Sequence, residues 1–423
     1  MRLNRFNFKV GGVLLASALV SAACGSASSS ASSSSASAAP SEITVGTLYA
    51  GSGSFADQSL PEYDGLKFWV SHENSKGGVY VAAYKKRIPV KLVAYNDQSS
   101  PATAATLYDQ LVTQNKVNIF VSDFGSVLTA PAATIAEEHH MVLFDQSGTG
   151  TNFFTPNNPY IVLADLPTSA LWPKPLVQFL IAKKINKVAL VYGSNDFDGS
   201  QDTTIVNGLK AAGITPVYNQ AIPTTTSSYG TTISAMAATH PDAVIELGYA
   251  NNDIAFLSNL ASSGTHFKMV FTVFPGQLQQ LLEKNVGESG LAYTYTYAAP
   301  PLISYNNVNF GMGTTAFEAA FQKQYPGPVN APEIYGYHTG LTIQLALNHA
   351  SSISQLSLRS ALMAESGKIT TLEGLFKLNS EGAQVGELLP VAQLTPTQGN
   401  TNTAVQIVYP SSQATASAVY PAP

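Results

Sequence analysis

From Ile43 onward the chain alternates short apolar runs with amphipathic stretches. Ile43–Tyr49 reads as a strand, and Tyr63, Leu66, Phe68, Trp69 and Val70 then recur at helical spacing, predicting a helix over 61–74. Val90–Tyr95 predicts a second strand, 102–115 a helix, Val117–Val121 a third strand, 131–139 a helix and Met141–Phe144 a fourth strand. The pattern then restarts. Strands are predicted at 187–192, 215–218, 242–247 and 268–272. Between them fall helices at 199–212, 229–238 and 252–262, the first and last closed by Gly213 and Gly264. A helical region follows (314–325, 334–348, 356–365), then strand-like pieces to the end. Strand–helix alternation predicts parallel sheets covered by helices on both faces. Two such units in series predict a cleft between lobes, of the kind that holds small ligands at the carboxyl ends of strands.

The first forty residues follow a different rule. Arg2, Arg5 and Lys9 precede an apolar run from Val10 to Val20 and then Ser21-Ala22-Ala23-Cys24. This order reads as a secretory signal, and the run is too short to span a bilayer, which takes about 20 residues. The small residues before Cys24 resemble a bacterial lipobox in its looser form, with Ser21 where that motif usually has Leu. The resemblance implies cleavage after Ala23 and lipidation of Cys24; an ordinary cleaved signal beside a coincidental cysteine is the alternative. Residues 25–41 hold ten Ser, five Ala, one Gly and one Pro. Such a segment cannot build a core and predicts a flexible tether with a reach of roughly 20–25 Å. Together these features predict an exported domain held at the extracytoplasmic face of the membrane through a lipid on Cys24.

Composition narrows the chemistry. Charged residues make up 11% of the chain, against about 25% in an ordinary soluble domain. The net charge is −5, and loss of residues 1–23 leaves 18 bases against 26 acids, or −8. With no basic stripe, nucleic acid is not an expected partner. Cys24 is the only cysteine, which excludes disulfides, cysteine zinc sites and thiol catalysis in the body. Gly51-Ser-Gly53-Ser-Phe-Ala56 imitates a dinucleotide fingerprint, but the acid ending the second strand, Asp97, comes over 40 residues later instead of about 20. Glu137 and His140 share a helix face without a second ligand pair. No G-x-S-x-G elbow or ordered triad is present. The expectation is therefore a non-enzyme with no cofactor and no metal.

The order and spacing of several segments resemble the leucine- and branched-chain-amino-acid-binding family, the type I solute-binding proteins of ABC importers. They are ITVGTLYAGSGSFA (43–56), ENSKGGV (73–79), VAYNDQSSPATAATLYDQLV (93–112), VALVYGSNDFDGS (188–200) and the run from LKAAG (209–213) through HPDAVIELGY (240–249) to Gly264. The likeness spans Ile43 to Leu394. It implies two doubly wound lobes joined by three crossovers, near 164–167, 299–302 and 369–372. Lobe 1 is then 42–165 plus 301–370, and lobe 2 is 166–300 plus 371–423. It also implies a monomer, a small-molecule ligand, and permease and ATPase subunits as partners; a ligand-sensing lipoprotein without transport is the rival reading.

Carried over residue by residue, the resemblance places a ligand carboxylate on lobe 1. Its anchors are Ser126 in SDFGS and the loop Ser147, Gly148, Thr149 in DQSGTG. Backbone N–H groups beside helix N-termini suit an anion there. Lobe 2 presents Phe197 and Tyr249 as aromatic covers. One departure stands out: Phe274 in FTVFPGQ takes the position where the family's amino-acid binders carry an acid for the ligand ammonium. The acid then comes from Glu246, Asp123, Asp145 or Asp196, or the ligand has no ammonium. Glu246, charged within a strand, either faces the cleft or satisfies a neighbouring group.

Overall fold

A computed structural model of the chain describes residues 38–397 and 402–423. The signal at 1–23, Cys24 and the tether as far as residue 37 lie outside the described residues. The first half runs β1 (Ile43–Tyr49), α1 (Ala56–Ser75), a small hairpin of β2 (Val79–Val81) and β3 (Lys86–Ile88), β4 (Val90–Asn96), α2 (Pro101–Thr113), β5 (Ile119–Val121), α3 (Gly125–Glu138), β6 (Leu143–Asp145) and β7 (Ile161–Leu163). Five of these strands make one sheet in the order β4-β1-β5-β6-β7, parallel throughout.

The chain then builds a second sheet with α4 (Lys174–Ala182), β8 (Val188–Gly193), α5 (Asp196–Ala211), β9 (Tyr218–Ile222), α6 (Gly230–Ala237), β10 (Ala243–Leu247), α7 (Ala250–Ser263), β11 (Val270–Phe271), α8 (Gln279–Val286), α9 (Glu288–Leu291) and β12 (Tyr295–Tyr297). Next come α10 (Thr314–Phe321), α11 (Ala331–His349) and α12 (Gln355–Glu365), the hairpin β13 (Ile369–Thr371) and β14 (Gly374–Phe376), and finally β15 (Val391–Pro396) and β16 (Thr403–Tyr409). The second sheet is ordered β16-β15-β12-β11-β10-β8-β9. It is parallel from β12 to β9, whereas β15 and β16 join antiparallel. The parallel second lobe holds from β12 to β9; at its edge β15 returns antiparallel on β12, and β16 follows β15 as a hairpin, whose two strands cannot be parallel.

Local chemistry explains most element ends. Ser100 caps α2, accepting from the Thr103 N–H at 3.3 Å, with Pro101 directly behind it. Asn195 caps α5 through the Asp198 N–H at 3.1 Å. Asn330 and Glu333 form a capping box at α11. Several boundaries depart from the sequence pattern; α3, for one, starts at Gly125 and carries Pro131 inside it. Helix α1 starts at Ala56 and carries Pro61 inside it; the carbonyl that Pro61 cannot engage belongs to exposed Asp57, where water reaches it. Strand β9 starts at Tyr218, not Thr215, since Pro216 has no N–H for the ladder.

Helices α1 and α11 cross in backbone contact. A methyl on Gly65 would overlap the Glu333 carbonyl, and one on Gly336 would overlap that of Glu62. Gly340 leaves room for the Trp69 ring in the same way. The 164–167, 299–302 and 369–372 segments all contribute to one small cavity, lined by Asp165, Pro300, Thr371 and Glu373 together with His338 of α11. Inside it His338 Nδ1 lies 2.6 Å from Asp165 Oδ1, and the Thr339 hydroxyl donates to Asp165 Oδ2 at 3.0 Å.

Candidate functional site

The loops after β5 and β6 knit together at the start of α3. The Gly125 N–H donates to Ser147 Oγ at 3.1 Å, and the Gly150 N–H donates to Ser126 Oγ at 2.8 Å. Asp145 organises the loop from below, accepting from the Gly148 N–H at 2.8 Å, Ser122 at 2.9 Å and Thr129 at 3.1 Å. Burial holds its carboxyl up to about 6. The Thr149 carbonyl accepts from the Ser169 N–H at 2.8 Å, while its own buried hydroxyl has no protein partner. Ser126, Ser147, Gly148 and Thr149 thus form one buried patch beside the positive end of a 14-residue helix. Gly125 opens that helix at φ +73°, and a side chain there would press on the Tyr249 ring.

The facing wall is aromatic. Phe197 stands 5.2 Å from Tyr249, Tyr249 6.2 Å from Phe274, and Trp172 5.1 Å edge-on from Phe197, all between ring centroids. Phe124 and Phe55 of the first lobe meet Tyr249 at 6.0 and 4.9 Å. Phe124, Trp172, Phe197, Tyr249 and Phe274, with Gly125, Ser147, Leu166, Gln277 and Tyr335, line a small space between the two sheets. The buried Tyr249 hydroxyl has no hydrogen-bond partner in the protein, and burial pushes its pKa up.

Two further contacts bridge the lobes. Asp196, in the first turn of α5, accepts from the Asn152 N–H at 2.8 Å. The Tyr335 hydroxyl donates to Gln277 Oε1 at 2.9 Å. Asp196 is therefore engaged in joining the lobes. Asp123 accepts from the Phe124 N–H at 2.7 Å and from the Ser59 hydroxyl.

Glu246 does not line this space. It accepts from the Tyr229 hydroxyl at 3.1 Å and lies against Asp253, and burial raises its pKa to about 7. Asp253 in turn accepts from the Phe274 N–H at 2.6 Å. Of the two readings of Glu246, support of neighbouring groups is the one the geometry favours: its strand neighbours Ile245 and Leu247 face opposite to it, and its own face is turned to Tyr229.

Several residues at the cleft carry no sequence signal. Tyr335 sits in a helix buried on nearly every side. Trp172 looks like any core tryptophan, and Gln277 follows Phe274 by three positions without a motif. Glu62 of α1 reads as a solvent-facing acid, yet it is buried beside Ser147.

Two α/β lobes closed on a buried, aromatic-walled space with a helix N-terminus at its floor define the two-lobed solute-binding class. The chain belongs to the periplasmic binding protein family, whose model matches residues 42–400. A relative from Brucella melitensis, Leu/Ile/Val-binding protein homolog 7, is 24% identical over 343 residues, 78% of this chain and 84% of its own length. Among solved structures, a type 1 periplasmic binding protein from Bordetella pertussis superposes with a TM-score of 0.74 at 14% identity, over 87% of this chain and 100% of that one. The branched-chain amino acid transporter substrate-binding protein LivJ of Streptococcus pneumoniae, in complex with isoleucine, gives 0.70 at 16% identity, over 86% and 99%. A solute-binding protein of R. palustris in complex with benzoate gives 0.70 at 15%, over 86% and 95%.

Proposed function

We propose that this chain captures a small polar or carboxylate-bearing solute between its lobes, outside the cell membrane, and presents it to the permease of an ABC importer. One observation carries the reading: the paired serine loops at the start of α3 face an aromatic wall across a buried space, and Asp196 and Tyr335 tie the two walls together. The ligand docks on lobe 1 through Ser126 and the 147–149 loop, and lobe 2 closes over it with Phe197, Tyr249 and Phe274. The relatives' names favour an amino-acid-like solute, while the benzoate complex among equally similar structures keeps aromatic acids within range.

The lobes are 42–165 plus 301–370 and 166–300 plus 371–423, and Cys24 carries the lipid. A thermal-shift screen of amino acids, aromatic acids and amides on the full chain tests capture. A ligand at 100 times its Kd adds about 2.7 kcal/mol to the folded state, and absence of any shift across the three classes refutes it. Cys24→Ala tests the anchor: the variant partitions into the soluble fraction, and persistence on membranes refutes lipidation.

A further inference from the structure

Behind the aromatic wall of the second lobe two acids meet with no base between them. Glu246 in β10 and Asp253 in α7 are both 0% exposed, and their carboxyl groups lie against each other. Glu246 Oε2 and Asp253 Oδ1 receive no hydrogen bond from any protein donor. The other two oxygens are taken, Glu246 Oε1 by the Tyr229 hydroxyl at 3.1 Å and Asp253 Oδ2 by the Phe274 N–H at 2.6 Å. Two carboxylates can only accept. One proton between them turns one into a donor and satisfies both free oxygens at once.

The surroundings enforce that proton. The titratable neighbours of the pair are Tyr229 from α6 and Asp198 from α5, and neither is cationic. Among the described residues no Lys or Arg is buried. Two bare charges side by side in such a place repel each other and lose their water. Burial accordingly raises both acids, Glu246 to about 7.

Asp253 holds up part of the cleft. The Phe274 N–H it accepts begins a turn in which the Phe274 carbonyl accepts from the Gln277 and Leu278 N–H groups at 2.8 and 2.9 Å. That turn places the Phe274 ring and the Gln277 side chain on the interlobe space, and Gln277 is the group that meets Tyr335 of α11. Tyr249 lies one turn before Asp253, and its carbonyl accepts the Asp253 N–H at 3.0 Å. Phe274, Tyr249 and the Gln277 bridge thus all rest against one acid. Glu246 is wedged between Tyr229 and Gly248, where a methyl would collide with its Oε1. When the proton leaves, Asp253 is the partner that must yield, and the Phe274 turn loses its anchor.

We infer that Glu246 and Asp253 are a positioning pair that shares one proton, holding the Phe274–Gln277 turn in its ligand-facing place and letting it go when the proton is lost. The inference rests on capture in the cleft as proposed above and gives it a control by external pH. When the lobes part, the turn meets water and the proton leaves more easily, so binding and protonation support each other. The pair keeps its proton at low pH and loses it as pH rises through about 7. Capture is therefore full below that point and weakens above it.

Amide hydrogen exchange of the full chain without ligand tests the pair directly. After correction for the intrinsic change of exchange with pH, protection of residues 274–278 falls about tenfold between pH 6 and 8 in the unaltered protein, the amount that one proton titrating near 7 supplies. In Glu246→Gln the new amide N–H takes the proton's place, and protection stays level. Asp253→Asn keeps an acceptor for Phe274 and donates to Glu246, so it behaves alike and serves if the first variant does not fold. Calorimetry with leucine, phenylalanine and benzoate reads the consequence for capture. A solute that binds does so less tightly at pH 8 than at pH 6, by up to about tenfold, and equally at both in the variants. Level protection in the unaltered protein, or the same fall in both variants, overturns the pair's hold on the turn. A fall in protection with unchanged affinity overturns its control of capture. If no solute binds at either pH, capture itself fails, while the exchange result still decides the pair.

Discussion

Asp196 offers a direct handle on lobe closure. It belongs to the second lobe, and its Oδ2 accepts from the Asn152 N–H of the first at 2.8 Å. The same carboxylate packs so closely on Gly150 that a methyl there would collide with it. This bond exists only when the lobes are together, so Asp196→Ala removes free energy from the closed form alone. A hydrogen bond to a charged acceptor contributes about 1.5–3 kcal/mol. Asp196 is only half-buried, and solvent screening trims this to about 1–2 kcal/mol, or roughly a 5- to 30-fold loss of affinity. The variant also removes an acid from the first turn of α5, worth about 0.3–1 kcal/mol, but that loss falls on open and closed forms alike. It appears in the melting temperature without ligand and not in affinity. Asp196→Asn keeps an acceptor without the charge and loses about half as much. Calorimetry with the solute found by thermal shift measures affinity, and small-angle scattering without ligand measures the open fraction. If Asp196→Ala binds as tightly as the unaltered protein and scatters identically, closure does not depend on this contact and the reasoning fails.

Other consequences are as direct. Ser126→Ala with Thr149→Ala weakens a carboxylate ligand by about 1.5–3 kcal/mol per charged hydrogen bond lost; unchanged affinity by calorimetry removes the anchor assignment. Gly336→Ala forces α1 and α11 apart at a backbone contact and destabilises the fold by about 3 kcal/mol or more, read from the denaturant midpoint. Burial raises the Glu373 carboxyl from 4.5 to about 8. The folded state therefore keeps a proton that the unfolded chain releases, and the stability this represents is full below pH 4.5 and lost as pH rises towards 8. Glu373→Gln flattens the fall in melting temperature across that window, and an unchanged slope contradicts the assignment.

The sequence made the architecture legible where burial is two-sided. Strands β1, β8 and β10 are largely apolar, mostly buried runs of five to seven residues, and such runs have few other readings. The three-residue strands β7 and β12 escaped, because Ile161–Leu163 and Tyr295–Tyr297 are too short to show a period. The cleft aromatics Phe197, Tyr249 and Phe274 were visible as bulky residues at strand ends. Glu62 was not, since helical spacing places it beside Tyr63 and Asp64 on what looks like a wet face. Only α11, some 270 residues later, covers it, and no local pattern can announce a neighbour that distant. Glu246 was ambiguous for the same reason: its partner Tyr229 lies on another element, at 17 residues' separation.

The cavity shared by Asp165, Pro300 and Thr371 has a mechanical meaning. With the lobe boundaries proposed above, three segments of chain crossing beside the Asp165–His338 hydrogen bond would act as a pivot, allowing the halves to swing but resisting sliding. Displacement then grows with distance from the pivot, so a small rotation there separates Asp196 from Asn152 at the rim first. Contacts at the rim set how often the jaws are shut, whereas residues at the pivot, His338 and Asp165 among them, set the direction in which they open. Substitutions in the two places should therefore leave different signatures, the first in affinity and the second in the shape of the open state.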